Sequence, residues 1–178
     1  MPGYVHGYDP RERQRLRDEA SSLVELLHWD TVYPAGSTVL EAGCGVGAQT
    51  VTLAAQSPEA HITSIDVSKV SLDAARAAVA ATGASNVAFQ QADIFALPFA
   101  AASFDHVFVC FVLEHLSRPV EALRRLRDVL APGGTLTVIE GDHGSAYYQP
   151  RSDHAQRAIQ CLVDLQARAG GDSLIGRR

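Results

Sequence analysis

Cysteine is scarce in this 178-residue sequence: Cys44, Cys110 and Cys161 are widely separated, and their number is odd. This spacing does not suggest a disulfide framework or a zinc site, so we expect no bound metal and a reducing, cytoplasmic setting. No apolar run approaches the roughly 20 residues needed to cross a bilayer, and the N-terminus lacks the charged-then-apolar order of a secretory leader. We therefore expect a soluble protein that does not enter a membrane.

Positive charge is also in deficit, with 15 Lys and Arg against 20 Asp and Glu and a net charge of −5. Nucleic acids and anionic membrane surfaces are bound through clustered Lys and Arg, so the composition argues against both partners. The length and the 47% hydrophobic content predict one domain with a sizeable core.

Short apolar segments of β type alternate along the chain with segments of helical spacing. This rhythm predicts an α/β fold with a doubly wound, mostly parallel sheet and helices on both faces. The predicted strands are Thr38–Leu40, Ile62–Ile65, Val87–Phe89, Phe104–Phe111 and Leu136–Ile139. Predicted helices start at Asp9-Pro10, Ser68, Ser117-Pro119 and Ser152, and Pro132-Gly133-Gly134 is predicted to turn the chain into the fifth strand.

A glycine-rich loop follows the first strand, in Glu41-Ala42-Gly43-Cys44-Gly45-Val46-Gly47-Ala48. Glycines at this place allow a sharp backbone turn and the close approach of a ligand to a helix N-terminus. Gly43, Gly45 and Ala48 also satisfy the dinucleotide pattern G-x-G-x-x-G/A, so the glycines alone do not distinguish a dinucleotide from S-adenosylmethionine.

The sign of the nearby charge favours S-adenosylmethionine. Glu41 precedes the first glycine by two residues, where it would repel a pyrophosphate and attract a sulfonium or an ammonium. Asp66 follows the second strand and suits ribose hydroxyls in either cofactor, whereas Asp93 follows the third strand and can accept an adenine amino group beside Ile94.

Together these segments resemble the class I S-adenosylmethionine-dependent methyltransferases, in particular the small-molecule branch of ubiquinone and menaquinone biosynthesis. The resemblance spans about residues 37–139. It is carried by the glycine loop and by four further segments, Ile65-Asp66-Val67-Ser68, Ala92-Asp93 with Leu97-Pro98-Phe99, Ser103-Phe104-Asp105 with Leu113-Glu114-His115-Leu116, and Leu130-Ala131-Pro132-Gly133-Gly134.

The resemblance implies a methyl transfer to a small-molecule acceptor at oxygen, nitrogen or carbon. It further implies a division into an N-terminal arm and helix (1–36), a cofactor-binding core (37–140) and an incomplete acceptor-site region (141–178). The implied cofactor contacts are Glu41 with the ammonium, Gly43, Gly45 and Gly47 under the methionine moiety, Asp66 with the ribose, Val67 and Ile94 around the adenine, Asp93 with its amino group, and the backbone around Phe111 along the methionine.

Two histidines are candidate general bases for an acceptor hydroxyl or protonated amine. His143 comes just after the fifth strand, where a doubly wound fold builds its acceptor pocket, and is slightly favoured. His115 lies at a strand-to-helix junction, where a purely structural role is the stronger interpretation. For His143 the alternative is a structural role in a tight loop.

Both ends of the chain raise further hypotheses. Tyr4-Val5-His6-Gly7-Tyr8 resembles arms that close over the cofactor, with a frayed terminus as the alternative. The family fold normally adds two strands beyond the fifth, so this chain is predicted to be shortened there. The fifth strand would then form an apolar edge, covered by the last helix, by a second copy of the chain or by a lost segment.

Two alternatives to a methyltransferase remain open. The first is a chain that binds S-adenosylmethionine without catalysis or only with a partner. The second and more distant is a nicotinamide-dependent oxidoreductase, which Glu41 and the absence of a second domain disfavour.

Overall fold

The computed structural model describes residues 10–178 and contains a five-stranded sheet flanked by helices. The helices are α1 Pro10–Leu27, α2 Ala48–Gln56, α3 Lys69–Ala80, α4 Pro119–Val129 and α5 Asp153–Arg168. The strands are β1 Thr38–Ala42, β2 His61–Asp66, β3 Val87–Gln91, β4 Phe104–Cys110 and β5 Leu130–Ile139. Short 3₁₀ turns follow β3, β4 and β5 at Ile94–Ala96, Leu113–His115 and His143–Ser145. The arm at residues 4–8 and the helix cap at Asp9 lie outside the described residues.

All four strand pairings are parallel, in the order β3-β2-β1-β4-β5. The predicted parallel α/β sheet is therefore confirmed. Because the chain reverses direction across the sheet between β1 and β4, the loops after these two strands meet at the switch point where such folds bind ligands. The two additional strands that the family resemblance implies are not among the described residues.

Adjacent residues of β1 face opposite sides of the sheet and enter different cores. Val39 packs with Leu53 of α2 and with Phe108, whereas Leu40 packs with Val107 and with Leu126 of α4. Each of these side chains is fully buried. The sheet is thus covered on both faces, as its continuous apolar strands indicate.

Helix caps follow the predictions in two places and differ in a third. Ser68 accepts a hydrogen bond from the Ser71 amide, and Ser152 accepts one from the Ala155 amide. The prediction that Ser117 opens α4 is wrong, because the N-cap residue is Arg118 and the helix begins at Pro119. Proline suits this first position because its missing N–H would have no partner in the helix.

The segment Pro132-Gly133-Gly134 lies within β5 and does not precede it. Leu130 already pairs with Phe104, and the register then shifts before Thr135 pairs with His106. A Cβ atom on Gly134 would lie 3.0 Å from the Ala131 carbonyl oxygen, and Gly133 has a positive φ of 82°. These residues form an irregularity that the alternating-segment pattern does not reveal.

Candidate functional site

The loops after the strands form one continuous row along the carboxyl edge of the sheet. The Ala92 amide bonds to the Asp66 carbonyl, joining β3 to β2, and the Asp66 carboxylate accepts the Gly45 amide hydrogen over 2.9 Å, joining β2 to the glycine loop. The Phe111 amide bonds to the Ile139 carbonyl at the end of β5. The predicted residues that end or follow the five strands are therefore brought to one edge of the sheet.

The glycine loop turns sharply between β1 and α2. Gly43, Gly45 and Gly47 have positive φ angles of 80°, 52° and 81°, which side chains rarely tolerate. A Cβ atom on Gly43 would lie 2.6 Å from Val112 Cγ2, and one on Gly47 would lie 2.9 Å from the Ala75 Cα atom. These two glycines are required for packing within the protein.

Gly45 differs from its two neighbours in the loop. A Cβ atom there would meet nothing within 4 Å. The positive φ favours glycine here, but no neighbouring group of the protein would clash with a side chain, so space beside the loop remains for a ligand.

Glu41 lies beneath this loop, almost fully buried. Its Oε2 atom accepts hydrogen bonds from Thr50 Oγ1 at 2.7 Å and from Ser64 Oγ at 2.6 Å. Burial raises the pKa of Glu41 to about 7, although the two hydroxyls act in the opposite direction. A cation brought close to this carboxylate would favour its ionised form.

Asp66 organises the loops after β1 and β2. Its two carboxylate oxygens accept the Gly45 and Ser68 amide hydrogens at 2.9 and 2.8 Å. Burial is the dominant cause that raises the pKa of Asp66, against the backbone donors that lower it. Since each carboxylate oxygen can accept two hydrogen bonds, ribose hydroxyls could still bind here.

The residues proposed to surround the adenine lie after β2 and β3. Asp93 accepts the Phe95 amide hydrogen at 2.9 Å and so caps the short turn that contains Ile94. Ile94 is buried, whereas Val67 is 49% exposed. Of the two apolar side chains proposed to contact the adenine, Ile94 therefore belongs to the core and Val67 faces solvent. The exposed Val67 side chain is a surface on which a ring could stack.

The main chain at Phe111 is bent just after β4. Its φ angle is +54°, which is uncommon for a residue with a side chain and is typical of sites that the surrounding structure constrains. Val112, the next residue, contacts the glycine loop at Gly43, as the close approach of its methyl groups shows. The predicted methionine contacts of both loops thus adjoin one another.

Glu140, which the sequence analysis did not single out, caps the turn after β4. Its Oε1 atom accepts the amide hydrogens of Val112 and Leu113 at 2.9 and 2.7 Å, and Oε2 accepts that of Glu114 at 3.4 Å. Burial raises the pKa of Glu140. An acidic residue at the end of a parallel strand, as at Asp66, was the signal that could have identified it.

The two candidate bases occupy neighbouring turns in different surroundings. His115 Nε2 lies 3.4 Å from Glu114 Oε1, and His115 Nδ1 lies 3.3 Å from Gln166 Nε2 of α5. His143 Nδ1 lies 3.2 Å from the carbonyl oxygen of Ser173. Gln166 and Ser173 belong to the C-terminal region and were not predicted to take part in the site.

No helix among residues 10–178 is long and apolar enough to cross a membrane. Within the same residues, no group of three or more His, Cys, Asp and Glu side chains could hold a metal ion. The three cysteines are free thiols, with Cys44 buried and Cys161 exposed. Burial raises the pKa of the Cys44 thiol far above its ordinary value, which disfavours a thiolate nucleophile at this helix N-terminus.

Comparison with known proteins gives one consistent family. A family model described as a methyltransferase domain matches residues 39–134. The O-methyltransferase resE of Aspergillus sclerotiorum is 32% identical over 144 residues, covering 79% of this chain and 54% of the relative. A demethylmenaquinone methyltransferase of Listeria monocytogenes is 33% identical over 106 residues, covering 59% of this chain and 45% of the relative.

Solved structures agree with this assignment at the level of the fold. A SAM-dependent methyltransferase from Aquifex aeolicus superposes with a TM-score of 0.68 at 24% identity, covering 89% of this chain and 88% of that one. The chain spans about half the length of the first curated relatives that it matches. The sequence match, the parallel sheet and the glycine loop together establish that the chain belongs to the methyltransferase domain family, with the class I fold.

Proposed function

We propose that this chain binds S-adenosylmethionine at the carboxyl edge of its sheet and directs methyl transfer to a small-molecule acceptor. The observation that carries the proposal is the pairing of an open Gly45 position with the carboxylates of Glu41 and Asp66. Open backbone admits a ligand, and clustered negative charge favours a cationic one over a diphosphate. Family membership supports the same cofactor.

Specific side chains are proposed for each part of the cofactor. Glu41 attracts the ammonium group from below the loop, and Asp66 accepts the ribose hydroxyls. Val67 and Ile94 contact the adenine on its two sides, Asp93 accepts its amino group, and the Phe111 backbone lines the methionine. When bound, S-adenosylmethionine supplies a methyl group on a positively charged sulfur, which is an activated donor.

The chain's own contribution to the reaction is then to orient the acceptor and to take its proton. Orientation can supply much of the acceleration, because the donor needs no further activation. His143 is proposed as the general base for an acceptor hydroxyl or protonated amine, and His115 as the second candidate. The names of relatives such as resE support oxygen as the methylated atom.

The proposed function is tested by calorimetry with the full chain. S-adenosylhomocysteine, the demethylated product, is expected to bind, and NAD is expected to give no heat of binding. Binding of NAD with no response to S-adenosylhomocysteine would overturn the proposal and support an oxidoreductase.

One observation favours the alternative of binding without independent catalysis. Residues 171–177 pack against the turns after β4 and β5, through the bonds of Asp172 to the Glu114 carbonyl and of Gly176 to the Gly141 carbonyl. This is the edge where an acceptor is expected to bind. Product binding together with no methyl transfer to any hydroxyl, amine or activated-carbon acceptor would favour this alternative.

We also propose a partner for the edge strand and a location for the protein. A second copy of the chain is the proposed partner for β5, which ends the sheet and exposes 40% of the Val138 side chain. A reducing, cytoplasmic location is proposed from the three free cysteines. The division into residues 1–36, 37–140 and 141–178 is kept as a working description of the domain.

A further inference from the structure

We infer that residues 171–177 form a positioning segment that selects the tautomer of His143 and leaves Nε2 as its proton-accepting nitrogen. The inference rests on the proposed function, because it specifies how one candidate base is prepared for the reaction. It assigns a role to a C-terminal segment that lies outside the matched residues 39–134.

The argument begins with the carbonyl oxygen of Ser173. It accepts a hydrogen bond from the His143 backbone amide at 3.0 Å, and the Nδ1 atom of the same residue lies 3.2 Å away. A carbonyl oxygen carries no hydrogen, so the contact is a hydrogen bond only when Nδ1 carries the proton. In a neutral imidazole the lone pair is then on Nε2.

His115 has the opposite arrangement. The Gln166 amide nitrogen donates to Glu114, through its carbonyl oxygen at 3.0 Å and its Oε2 atom at 3.1 Å, which fixes the orientation of the amide. His115 Nδ1 lies beside the same amide nitrogen and can only share one of its two hydrogens, while Nε2 lies near the Glu114 carboxylate. Both ring nitrogens are engaged, and His115 serves to join the turn after β4 to α5.

Arg177 connects the positioning segment to the turn that carries His143. Its Nε and Nη2 atoms lie 2.8 and 2.6 Å from Asp142 Oδ2, and Asp142 Oδ1 accepts the Gly144 amide hydrogen at 3.0 Å. Asp142 is the N-cap residue of the His143–Ser145 turn. Arg177 is thus a positioning residue, whose guanidinium acts on His143 through Asp142.

Close backbone contact keeps the segment in register. The Gly176 amide bonds to the Gly141 carbonyl at 3.1 Å, and a Cβ atom on Gly176 would lie 2.7 Å from that oxygen. A Cβ atom on Gly171 would collide with the Glu114 carbonyl. Two glycines therefore allow residues 171–177 to reach the positions from which Ser173 meets His143.

The test is ¹⁵N NMR of the full chain with labelled histidine, at a pH where the ring of His143 is neutral. The expected result is a proton on Nδ1 of His143 in the wild type. A proton on Nε2 would overturn the inference. Resonance assignment uses the His143→Gln variant, whose spectrum lacks only the signals of this ring.

Two variants disturb the segment in different ways. Arg177→Ala removes the bond to Asp142, and Gly176→Ala pushes the segment away from Gly141. Each is expected to raise the ratio of the Nε2–H to the Nδ1–H tautomer. For Arg177→Ala, which removes one exposed ion pair, the rise is expected to reach about fivefold. Arg127→Ala is the matched control, because it removes an exposed ion pair with Asp128 that lies outside residues 171–177.

Calorimetry with S-adenosylhomocysteine separates this inference from the proposed function. Variants that bind the product like the wild type are folded, so an unchanged tautomer in both of them would overturn the role of the segment. A wild-type protein that does not bind S-adenosylhomocysteine would instead overturn the proposed function. An altered tautomer in Arg177→Ala or Gly176→Ala, but not in Arg127→Ala, supports the inference.

Discussion

The Ser64 hydroxyl donates a hydrogen bond of 2.6 Å to Glu41 Oε2 and so ties β2 to a carboxylate buried below the glycine loop. Thr50 of α2 donates to the same oxygen. Three elements around the proposed cofactor site therefore converge on one acidic group. The free energy of unfolding and the proposed binding affinity should both depend on its charge.

The first prediction concerns stability and pH. Burial raises the pKa of Glu41 from an ordinary value of 4.5 to about 7. Between pH 4.5 and pH 7 the Glu41 carboxyl is therefore protonated in the folded protein and ionised in the unfolded chain. The stability that the folded protein gains from keeping Glu41 protonated is fully present below pH 4.5 and is lost as the pH rises through about 7. The free energy of unfolding should therefore fall by up to roughly 3 kcal/mol across this window, relative to Glu41→Gln.

Urea denaturation at several pH values between 4 and 8 measures this difference. Glu59→Gln is the control, because Glu59 carries the same charge on an exposed turn. A constant difference between the wild type and Glu41→Gln at all pH values would contradict the prediction.

The second prediction concerns cofactor binding at pH 8, where Glu41 is ionised. Glu41→Gln removes the negative charge while keeping an oxygen that can accept from Ser64 and Thr50. The dissociation constant for S-adenosylhomocysteine should rise about 10- to 100-fold, as expected for loss of one buried charge partner. Calorimetry measures it, and equal affinities in the two proteins would show that Glu41 does not attract the ammonium.

The third prediction separates packing from ligand access in the glycine loop. Gly43→Ala and Gly47→Ala should lower the melting temperature strongly, because their methyl groups would meet Val112 and Ala75. Gly45→Ala should cost only about 1 kcal/mol of backbone strain but should abolish most cofactor binding. Thermal denaturation and calorimetry together test this, and unaltered cofactor binding by Gly45→Ala would contradict it.

The fourth prediction compares the two histidines in turnover. His143→Gln should reduce kcat for a hydroxyl acceptor by about 10²-fold, as expected for loss of a general base. His115→Gln should affect kcat less, because both nitrogens of this ring are already engaged. The KM for S-adenosylmethionine should change little in either variant, and a larger kcat loss in His115→Gln would reverse the assignment.

The fifth prediction concerns the edge of the sheet. If a second copy pairs along β5, light scattering should give twice the chain mass of 19.0 kDa. The Val138→Lys variant should then be a monomer with the mass of one chain, because its charge would lie within the apolar contact. A wild-type protein that is monomeric at high concentration would exclude this partner.

The family and the order of the elements could be predicted from the sequence because local patterns carry them. Apolar runs without alternation indicate strands covered on both faces, and each acidic residue that follows such a strand must reach the same edge. Asp66 and Asp93 were predicted on this basis, and they lie at that edge: the Asp66 carboxylate accepts the Gly45 amide hydrogen of the neighbouring loop, and Asp93 caps its own turn. Their cofactor contacts remain predictions.

Contacts between distant segments could not be predicted in the same way. Glu140 caps a turn 26 to 28 residues earlier, and Gln166 reaches Glu114 from 52 residues away. The irregularity in β5 likewise arises from its register with β4. No spacing along the chain encodes such pairs, because they depend on how whole elements pack.

The sequence by itself determined the parallel sheet, the glycine loop and the charge of the residues beside it, since these depend on local periodicity and residue chemistry. Only the tertiary structure decided which glycine has open space, which carbonyl oxygen lies beside the His143 ring and which carboxylate Arg177 binds. These properties depend on distances between atoms of separate segments, and only folding sets those distances.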